Sequence, residues 1–356
     1  MKIGLFGLPK SGKTTLFNAL TKSQAQVAAY TMAKAEPNVA VVKVGDSRIT
    51  RLSAMYKPKK TAYAAVEFVD FVGVTEGAIK EESFPPALMK LIRSVDALAV
   101  VVCGFPSDRG EAPDPLKDIR TIDEELLLCD LVIAEQRLEK IRAGFKRGQK
   151  TDSLVFEEKA VAKICDQLNR SLPIRDLIFD EKEETAIRGF QFLTKKPLIA
   201  IINSDEDSFG KRPDLIAKMG ALHRSIEFAG NFEMELSRLE NEEEAKAFME
   251  DLGIKESARD LLTSVAYETL GCISFFTVGP DEVRAWTIHG GSTAVDAAAA
   301  IHTDLARGFI AAECFTYNDL IECGSEKAVK DKGKFRLEGK EYIVKDGDII
   351  SIRFNV

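Results

Sequence analysis

Short apolar runs alternate with helical spacing along the first 100 residues and again near residue 200. The strand-like runs are residues 2–6, 65–71, 97–103 and 197–202. The helical stretches are residues 14–21, where Leu16, Phe17 and Leu20 share one face, and residues 86–93. Strands that alternate with helices predict an α/β fold with a mostly parallel, doubly wound sheet.

Between residues 123 and 194 the apolar positions recur every three or four residues. The first series is Leu127, Leu131, Ala134, Leu138 and Ile141, and the second is Leu154, Val161, Ile164 and Leu168. This spacing predicts two long helices joined around G-F-K-R-G-Q-K-T-D-S, and we expect an antiparallel hairpin inserted into the sheet domain. The alternative is a pair of surface helices that belong to the sheet domain itself.

From Cys272 onward the pattern is rich in strands. Strand-like runs lie at residues 284–288, 309–316, 341–344 and 349–354. One clear helix, Ala294–Ile301, follows Gly290-Gly291 with Ser292 or Thr293 as its N-cap. Mixed strands around one helix predict a small α+β domain.

Composition and charge narrow the class of protein. The chain has 356 residues, of which 45% are hydrophobic and 29% charged, which indicates two or three globular domains and excludes disordered and fibrous proteins. A net charge of −7 means that contact with nucleic acid would require a local basic patch. Because no membrane helix, signal peptide or metal-ligand spacing of the six cysteines is recognisable, we expect a cytoplasmic protein with reduced thiols.

The run G-L-P-K-S-G-K-T at residues 7–14 matches the phosphate-loop pattern G-x-x-x-x-G-K-[ST] between a strand and a helix. Its glycines let backbone N–H groups wrap a phosphate. Lys13 would reach the β- and γ-phosphates, and the Thr14 hydroxyl would bind Mg²⁺, so these two are the predicted catalytic residues. The predicted nucleotide-binding residues of this loop are Pro9, Lys10, Ser11, Gly12, Lys13, Thr14 and Thr15.

A D-x-x-G pattern ends the second strand-like run. Here Asp70 would hold Mg²⁺ through water, and the Gly73 N–H would meet the γ-phosphate. The alternative is a solvated aspartate at the end of a strand. The phosphate loop about 60 residues upstream favours the metal site.

Asn203-Ser204-Asp205-Glu206 follows the run at residues 197–202, where guanine-reading enzymes carry N-K-x-D. We expect Asn203 and Glu206 to bind the nucleotide. Because Glu206 replaces the aspartate and Ser204 replaces the lysine, guanine is not fixed as the base. A polar loop without a ligand is the alternative.

The sequence resembles the YchF / Obg-like ATPase family over nearly its whole length. The stretches that carry the resemblance are G-L-P-K-S-G-K-T-T-L-F-N-A-L-T, A-E-P-N-V-A-V-V, K-P-K-K, V-E-F-V-D-F-V-G, F-L-T-K-K-P, F-F-T-V-G-P-D-E-V-R-A-W-T-I and G-K-E-Y-I-V-K-D-G-D-I-I. The last two are similar to that family's TGS domain, a β-grasp module. The resemblance implies a P-loop NTPase domain interrupted by the hairpin, ATP preferred over GTP, Mg²⁺ as cofactor, and association with ribosomes.

We therefore expect three domains. They are a discontinuous P-loop nucleotide-binding domain of residues 1–120 and 195–271, a helical hairpin of residues 121–194, and a TGS-like domain of residues 272–356.

The chain departs from the family pattern in the segments that should close over the nucleotide. Lys34 stands where a metal-binding threonine is expected, and Pro85-Pro86 replaces switch glycines. Val74 occupies the position of the water-orienting glutamine of Ras-like enzymes and cannot orient water, and the family also has an apolar residue there. The family's loop histidine is missing, because the histidines are His223, His289 and His302. We expect slow or partner-dependent hydrolysis, and the candidate charge stabilisers are Lys10, Lys34 and Arg109.

Two basic patches are candidates for contact with RNA. The hairpin tip carries Arg137, Lys140, Arg142, Lys146, Arg147 and Lys150, and the C-terminal domain carries Lys327, Lys330, Lys332, Lys334, Arg336 and Lys340. Solvated helix faces are the alternative for both. Trp286 is expected in the β-grasp core rather than as a base-stacking platform.

These patterns lead to one main hypothesis and two alternatives. The main one is a nucleoside triphosphatase that binds ATP or GTP with Mg²⁺ and regulates contact with a ribosome or RNA. The first alternative is a hydrolysis-deficient, nucleotide-gated adaptor. A phosphotransferase is more remote, because no acceptor pocket is recognisable.

Overall fold

The computed structural model describes residues 1–21, 38–71, 86–106, 112–239, 241–254 and 256–355. The chain forms two compact units. The first unit comprises Met1–Ala40 and Glu67–Arg259, and the second comprises Val41–Val66 and Asp260–Val356.

Strands and helices alternate along most of the chain. The strands are β1 (Lys2–Gly7), β2 (Asn38–Lys43), β3 (Lys60–Ala62), β4 (Ala65–Asp70), β5 (Ala97–Cys103), β6 (Leu198–Ser204), β7 (Arg224–Ala229), β8 (Cys272–Thr277), β9 (Glu282–His289), β10 (Phe309–Thr316), β11 (Arg336–Glu338) and β12 (Asp348–Phe354). The helices are α1 (Lys13–Thr21), α2 (Ser47–Tyr56), α3 (Pro86–Ser94), α4 (Pro115–Lys146), α5 (Asp152–Asn169), α6 (Glu181–Ile187), α7 (Pro213–Gly220), α8 (Gly230–Arg238), α9 (Glu242–Asp251), α10 (Ala258–Thr269), α11 (Ala294–Ile301), α12 (Thr303–Arg307), α13 (Tyr317–Cys323) and α14 (Glu326–Asp331).

A six-stranded sheet in the order β2-β4-β1-β5-β6-β7 organises the first unit. Strands β4, β1, β5, β6 and β7 pair in parallel, as the doubly wound pattern predicts. All of β6 and all but the last residue of β5 are buried. Strands buried on both faces read as continuous apolar runs, which is why the sequence reveals them.

The two predicted long helices are confirmed as α4 and α5. Pro115 begins α4 after Asp114, whose side chain accepts a hydrogen bond from the Lys117 N–H, and Thr151 caps α5 in the same way. The loop between them turns at Gly148, where φ is +80°. The apolar seam contains Leu127, Ala134, Val161, Ile164 and Leu168. Among the described residues no helix is both long and apolar enough to span a membrane.

The middle of α4 is anchored by Asp130, which is fully buried. Its carboxylate accepts hydrogen bonds from the backbone N–H groups of Leu193 and Thr194, at 3.0 and 2.7 Å, and from the Thr194 hydroxyl at 2.9 Å. Arg93, in the last turn of α3, reaches the same carboxylate at 3.3 Å. Burial raises the pKa of this carboxyl above its ordinary value.

The second unit contains a sheet in the order β11-β10-β12-β8-β9-β3, packed against α11. The α+β prediction is confirmed, with two corrections. Residues 341–344 form only an isolated bridge from Ile343 to Thr293. Around it, Tyr342 O accepts a hydrogen bond from Ala294 N at the start of α11, and Val344 N donates to Ser292 O. Helices α12 to α14 were not expected. Capping side chains on Thr316 and Ser325 begin α13 and α14.

Residues 41–66 belong to the second unit, whereas the sequence analysis grouped them with the nucleotide-binding domain. Strand β3 pairs in parallel with β9 at the edge of the sheet. Arg48 on α2 lies over the Phe276 ring and bonds to Asp346 at 2.6 Å. Strand β3 is only three residues long and polar, so its sequence gives no sign of a distant partner.

Candidate nucleotide-binding site

A cavity of about 960 Å³ lies where β1, β5 and β6 end. It is lined by residues 7–15, Phe105, Pro106, Asn203, Ser204, Asp205, Gly230 and Asn231. The carboxyl ends of parallel strands are the usual ligand-binding edge of a doubly wound sheet. The structure thus brings the phosphate loop and residues 203–205, which are far apart in sequence, to one cavity, whereas Glu206 is not in the described lining.

The phosphate loop has a tight backbone in which both motif glycines are sterically required. Gly12 has φ of +88°, and a Cβ there would lie 1.8 Å from Asn203 Nδ2. A Cβ on Gly7 would lie 2.5 Å from Ser11 Oγ and 2.7 Å from Val101 O. Lys10 also adopts positive φ, at +67°. Helix α1 begins directly after this loop, so its N-terminus faces the same opening.

Lys13 and Asp70 form a buried ion pair. The Lys13 ammonium donates to Asp70 Oδ1, and these residues are 7% and 2% exposed. Each charge is thereby compensated in the interior of the first unit. The pair sets the cation of the phosphate loop next to the carboxylate that the sequence analysis assigned to Mg²⁺.

Asn203 ties the two sides of the cavity together. Its Nδ2 donates to Ser11 O at 3.0 Å, and its Oδ1 accepts from Gly230 N at 3.2 Å. The residue is 5% exposed. Asn203, which the sequence assigned to the base, therefore supports the phosphate loop through the protein itself.

Glu206 lies beside a residue that the sequence analysis missed. Asn231, which lines the cavity, donates through Nδ2 to Glu206 Oε1 at 3.3 Å. Asn231 follows β7, whose mixed sequence R-S-I-E-F-A gave no strand prediction. Gly230 beside it packs closely on Thr15, since a Cβ on Gly230 would lie 3.0 Å from Thr15 Cγ2.

Several predicted site residues lie outside the part of the chain that the structure describes. They are Lys34, Gly73, Val74, Pro85 and Arg109. Of the residues assigned to the metal, Thr14 lines the cavity and Asp70 lies at the end of β4.

His223 is engaged elsewhere in the first unit. Its Nε2 lies 2.6 Å from Asp123 Oδ2, and its side chain is 6% exposed. It does not belong to the described lining of the cavity. His289 and His302 lie in the second unit.

Two family models match the chain. One, described as a 50S ribosome-binding GTPase, covers residues 2–138. The other, the C-terminal model of YchF GTPases, whose description is a protein of unknown function, covers residues 272–355.

Relatives match the chain along its whole length. The ribosome-binding ATPase YchF of Bacillus subtilis is 39% identical over 99% of both chains, and that of Haemophilus influenzae is 40% identical over 100% of this chain and 99% of its own. The solved structure of the Schizosaccharomyces pombe YchF GTPase aligns with a TM-score of 0.84 and 33% identity, covering 99% of this chain and 97% of that one. The architecture, the phosphate loop and these full-length matches agree, and the chain belongs to the YchF family.

Proposed function

We propose that this chain is a nucleoside triphosphatase that binds ATP with Mg²⁺ in the described cavity and uses the nucleotide state to regulate contact with ribosomes. The observation that carries the proposal is the phosphate loop closing one end of a 960 Å³ cavity with Lys13 beside Asp70. Its N–H groups, the start of α1 and the Lys13 ammonium are all suited to a polyphosphate. The printed names of the relatives, ribosome-binding ATPase, support the same function.

The residues present fit a magnesium ion. The Thr14 hydroxyl and the Asp70 carboxylate are hard oxygen donors, and Mg²⁺ favours one or two such groups together with water and phosphate oxygens. A bound Mg²⁺ would neutralise charge on the phosphates. The fold itself holds Lys13 beside this metal site and keeps Asp70 buried, away from bulk water.

We infer that ATP binds at least as tightly as GTP. In N-K-x-D the aspartate accepts from guanine donors that adenine lacks. Here the corresponding carboxylate is Glu206, and its Oε1 accepts from Asn231. The side-chain amide of Asn231, which lines the cavity, has an NH₂ donor and a carbonyl acceptor. Adenine carries both a hydrogen-bond acceptor and a donor that can pair with these two groups.

The experiment is calorimetric titration with ATP and GTP, each with and without Mg²⁺. We expect ATP to bind at least as tightly as GTP, and Mg²⁺ to strengthen both. The Lys13→Ala variant should lose binding, because it removes the cation that the motif directs at the β- and γ-phosphates. A clear preference for GTP would contradict the base assignment, and unchanged binding by Lys13→Ala would contradict the phosphate site.

Turnover by the isolated chain should be slow. Hydrolysis needs an oriented water and compensation of charge at the γ-phosphate. The first unit's only histidine in the described residues, His223, is hydrogen-bonded to Asp123 away from the cavity lining. Single-turnover rates should lie at about 10⁻⁴ to 10⁻² per second. A rate above about one per second without a partner, or a large loss on replacing His223, would contradict this expectation.

A hydrolysis-deficient, nucleotide-gated adaptor remains the second candidate function, favoured by the engagement of His223. The same single-turnover experiment separates the two. Nucleotide binding with no detectable hydrolysis, with or without ribosomes, would favour the adaptor. Stimulation by ribosomes would favour the triphosphatase.

The hairpin tip is the proposed RNA contact of the first unit. Arg137 and Arg142 pair with Glu157 and Glu158 at 2.6 and 2.9 Å. The other basic residues of the tip are exposed and form no ion pair within the described part of the chain; they are Lys140, Lys146, Arg147 and Lys150. Such cations suit a phosphate backbone. A cytoplasmic location belongs to the same proposal, because the proposed partner is the ribosome.

The basic patch of the second unit is partly neutralised. Lys334 pairs with Asp319 and Glu322, and Arg336 pairs with Glu338. Lys327, Lys332 and Lys340 are exposed. We therefore propose the tip as the stronger contact and the TGS-like domain as the weaker one.

Sedimentation with ribosomes tests the partner. A variant with Lys146→Ala and Arg147→Ala should bind several-fold more weakly, with a reduced dependence on salt. A matched control with Lys117→Ala and Lys218→Ala, two exposed lysines outside the tip, should bind like the unchanged protein. Equal losses in both variants would show that net charge, and not the tip, determines binding.

A further inference from the structure

A polar cluster lies directly behind the loop that carries Glu206. Ser204 Oγ accepts a hydrogen bond from Arg212 Nη2 at 2.7 Å and donates one to Glu227 Oε1. Arg212 and Glu227 are themselves 3.8 Å apart. Ser204 is 3% exposed, and the side chains of Arg212 and Glu227 are 25% and 12% exposed. The sequence analysis treated Ser204 only as a missing lysine, whereas it links two opposite charges.

The cluster holds the loop at several points. Glu227 Oε2 accepts from the Gly210 N–H at 3.1 Å, while Asp205 Oδ1 accepts from the Ser208 N–H at 2.8 Å. The loop between β6 and α7 is thus fixed to β7 from behind. Because Ser204 and Asp205 also line the cavity, a shift of the cluster would move the cavity wall.

Arg212 also lies close to the segment that follows β5. A Cβ on Gly104 would lie 2.8 Å from Arg212 Nη2, so the guanidinium packs directly against the backbone that follows β5. The next residue, Phe105, lines the cavity. The Nε of Arg212 is buried and has no hydrogen-bond partner among the described residues. The contacts of the guanidinium with Ser204 and Glu227 therefore hold Arg212 in place although its Nε–H donor is unsatisfied.

Removing Arg212 would leave the carboxylate of Glu227 without a neighbouring positive charge. Glu227 would keep its largely buried carboxylate but lose its cation, which is costly at low exposure. The carboxylate would then draw in water or move outward, and the loop bonded to it through Ser204 and Gly210 would follow. In the described residues, the hydrogen bonds of these three side chains end within the cluster and its loop and do not reach residues 7–15.

We propose that Ser204, Arg212 and Glu227 form a positioning cluster that sets the affinity of the cavity for the base of the nucleotide and changes its affinity for the phosphates much less. This proposal rests on the proposed function, with the base bound at the end of the cavity lined by residues 203–205 and Asn231. Arg212 acts through the loop and not by contact with the phosphates. It is therefore a specificity determinant that a phosphate-loop motif does not reveal.

The test compares ATP with UTP, which keeps the ribose and triphosphate but presents a different base. Titrations with Mg²⁺ use the full chain, Arg212→Met, Arg212→Lys, and the control Arg142→Met, which loses an exposed ion pair with Glu158 at the tip. We expect the unchanged protein to prefer ATP. Arg212→Met should weaken ATP binding about tenfold and UTP binding less than twofold, and Arg212→Lys should restore most of the loss.

Ser204→Ala keeps both charges and gives a second, milder variant should Arg212→Met fail to fold. It should weaken ATP binding about threefold and UTP binding by less than twofold. Equal affinity of the unchanged protein for ATP and UTP, or equal losses for both nucleotides in the variants, would overturn the positioning cluster while leaving the phosphate site intact. Absence of binding of both nucleotides to the unchanged protein would instead remove the proposed function.

Discussion

Lys13 and Asp70, 57 residues apart in the chain, hold each other in an ion pair inside the first unit. Their side chains are only 8% and 4% exposed, so neither charge can turn to bulk water without a rearrangement. The residue that should bind phosphate thus also contributes to the stability of the fold. Nucleotide binding and fold stability can be separated by comparing a variant that removes only the Lys13 charge with one that removes both charges.

Lys13→Ala should lower both nucleotide affinity and the free energy of unfolding. Removing one partner of a buried pair costs about 3–5 kcal/mol, because the remaining charge is uncompensated. The double variant Lys13→Ala/Asp70→Asn should recover most of this stability but none of the nucleotide binding. Urea unfolding and calorimetry measure the two effects. If the double variant is no more stable than Lys13→Ala, the loss does not come from an uncompensated charge on Asp70.

Gly12→Ala should be strongly destabilising for two reasons. A Cβ would collide with Asn203 Nδ2 at 1.8 Å, and φ is +88°. Backbone strain costs about 1–2 kcal/mol and overpacking about 1–3 kcal/mol more. Gly148→Ala is the matched control, with φ of +80° and no atom within 4 Å of the new Cβ, so it should lose only the first part. Equal unfolding free energies for the two variants would contradict a role for the Asn203 contact.

The structure explains why the phosphate loop was predictable and its supports were not. Residues 7–14 are contiguous, so their spacing alone identifies the loop, and strands such as β5 are apolar on both faces. Asn203 was predicted from the position of its loop after β6 and lines the cavity, but its bonds to Ser11 and Gly230 join three distant segments that the sequence does not connect. Asn231 and Arg212 follow no local pattern, since their partners come from other loops.

Asp130→Asn should weaken the attachment of the hairpin. The carboxylate accepts hydrogen bonds on both oxygens, and an amide would turn a donor toward the N–H of either Leu193 or Thr194. We expect a loss of about 2–3 kcal/mol in unfolding free energy. Asp166→Asn, at an exposed position of α5, should change it by less than about 0.5 kcal/mol. Comparable losses in both variants would rule out Asp130 as the anchor.

Glu183 should make stability depend on pH below neutrality. Hydrogen bonds from Lys159 and then Lys163 lower its pKa from 4.5 to about 2. The unfolded chain therefore binds this proton more readily, so the stabilisation is complete above pH 4.5 and is lost as pH falls toward 2.

Urea midpoints between pH 6 and pH 2.5 measure this effect. Glu183→Gln should be less stable at the upper end and should show a shallower decline as pH falls. Glu181→Gln, an exposed neighbour on the same helix, should follow the unchanged protein. A parallel decline for Glu183→Gln and the unchanged protein would contradict the lowered pKa.

The parallel pairing of β3 with β9 has a consequence for the order in which the chain folds during synthesis. Lys60 pairs with Glu282, so β3 leaves the ribosome about 220 residues before its partner. Helix α2 and strand β3 must wait without β9 while the intervening segments are translated, and they can settle only when the last part of the chain emerges. Shortening the chain at its end would therefore release an early segment from its place, although no residue near the start had been changed.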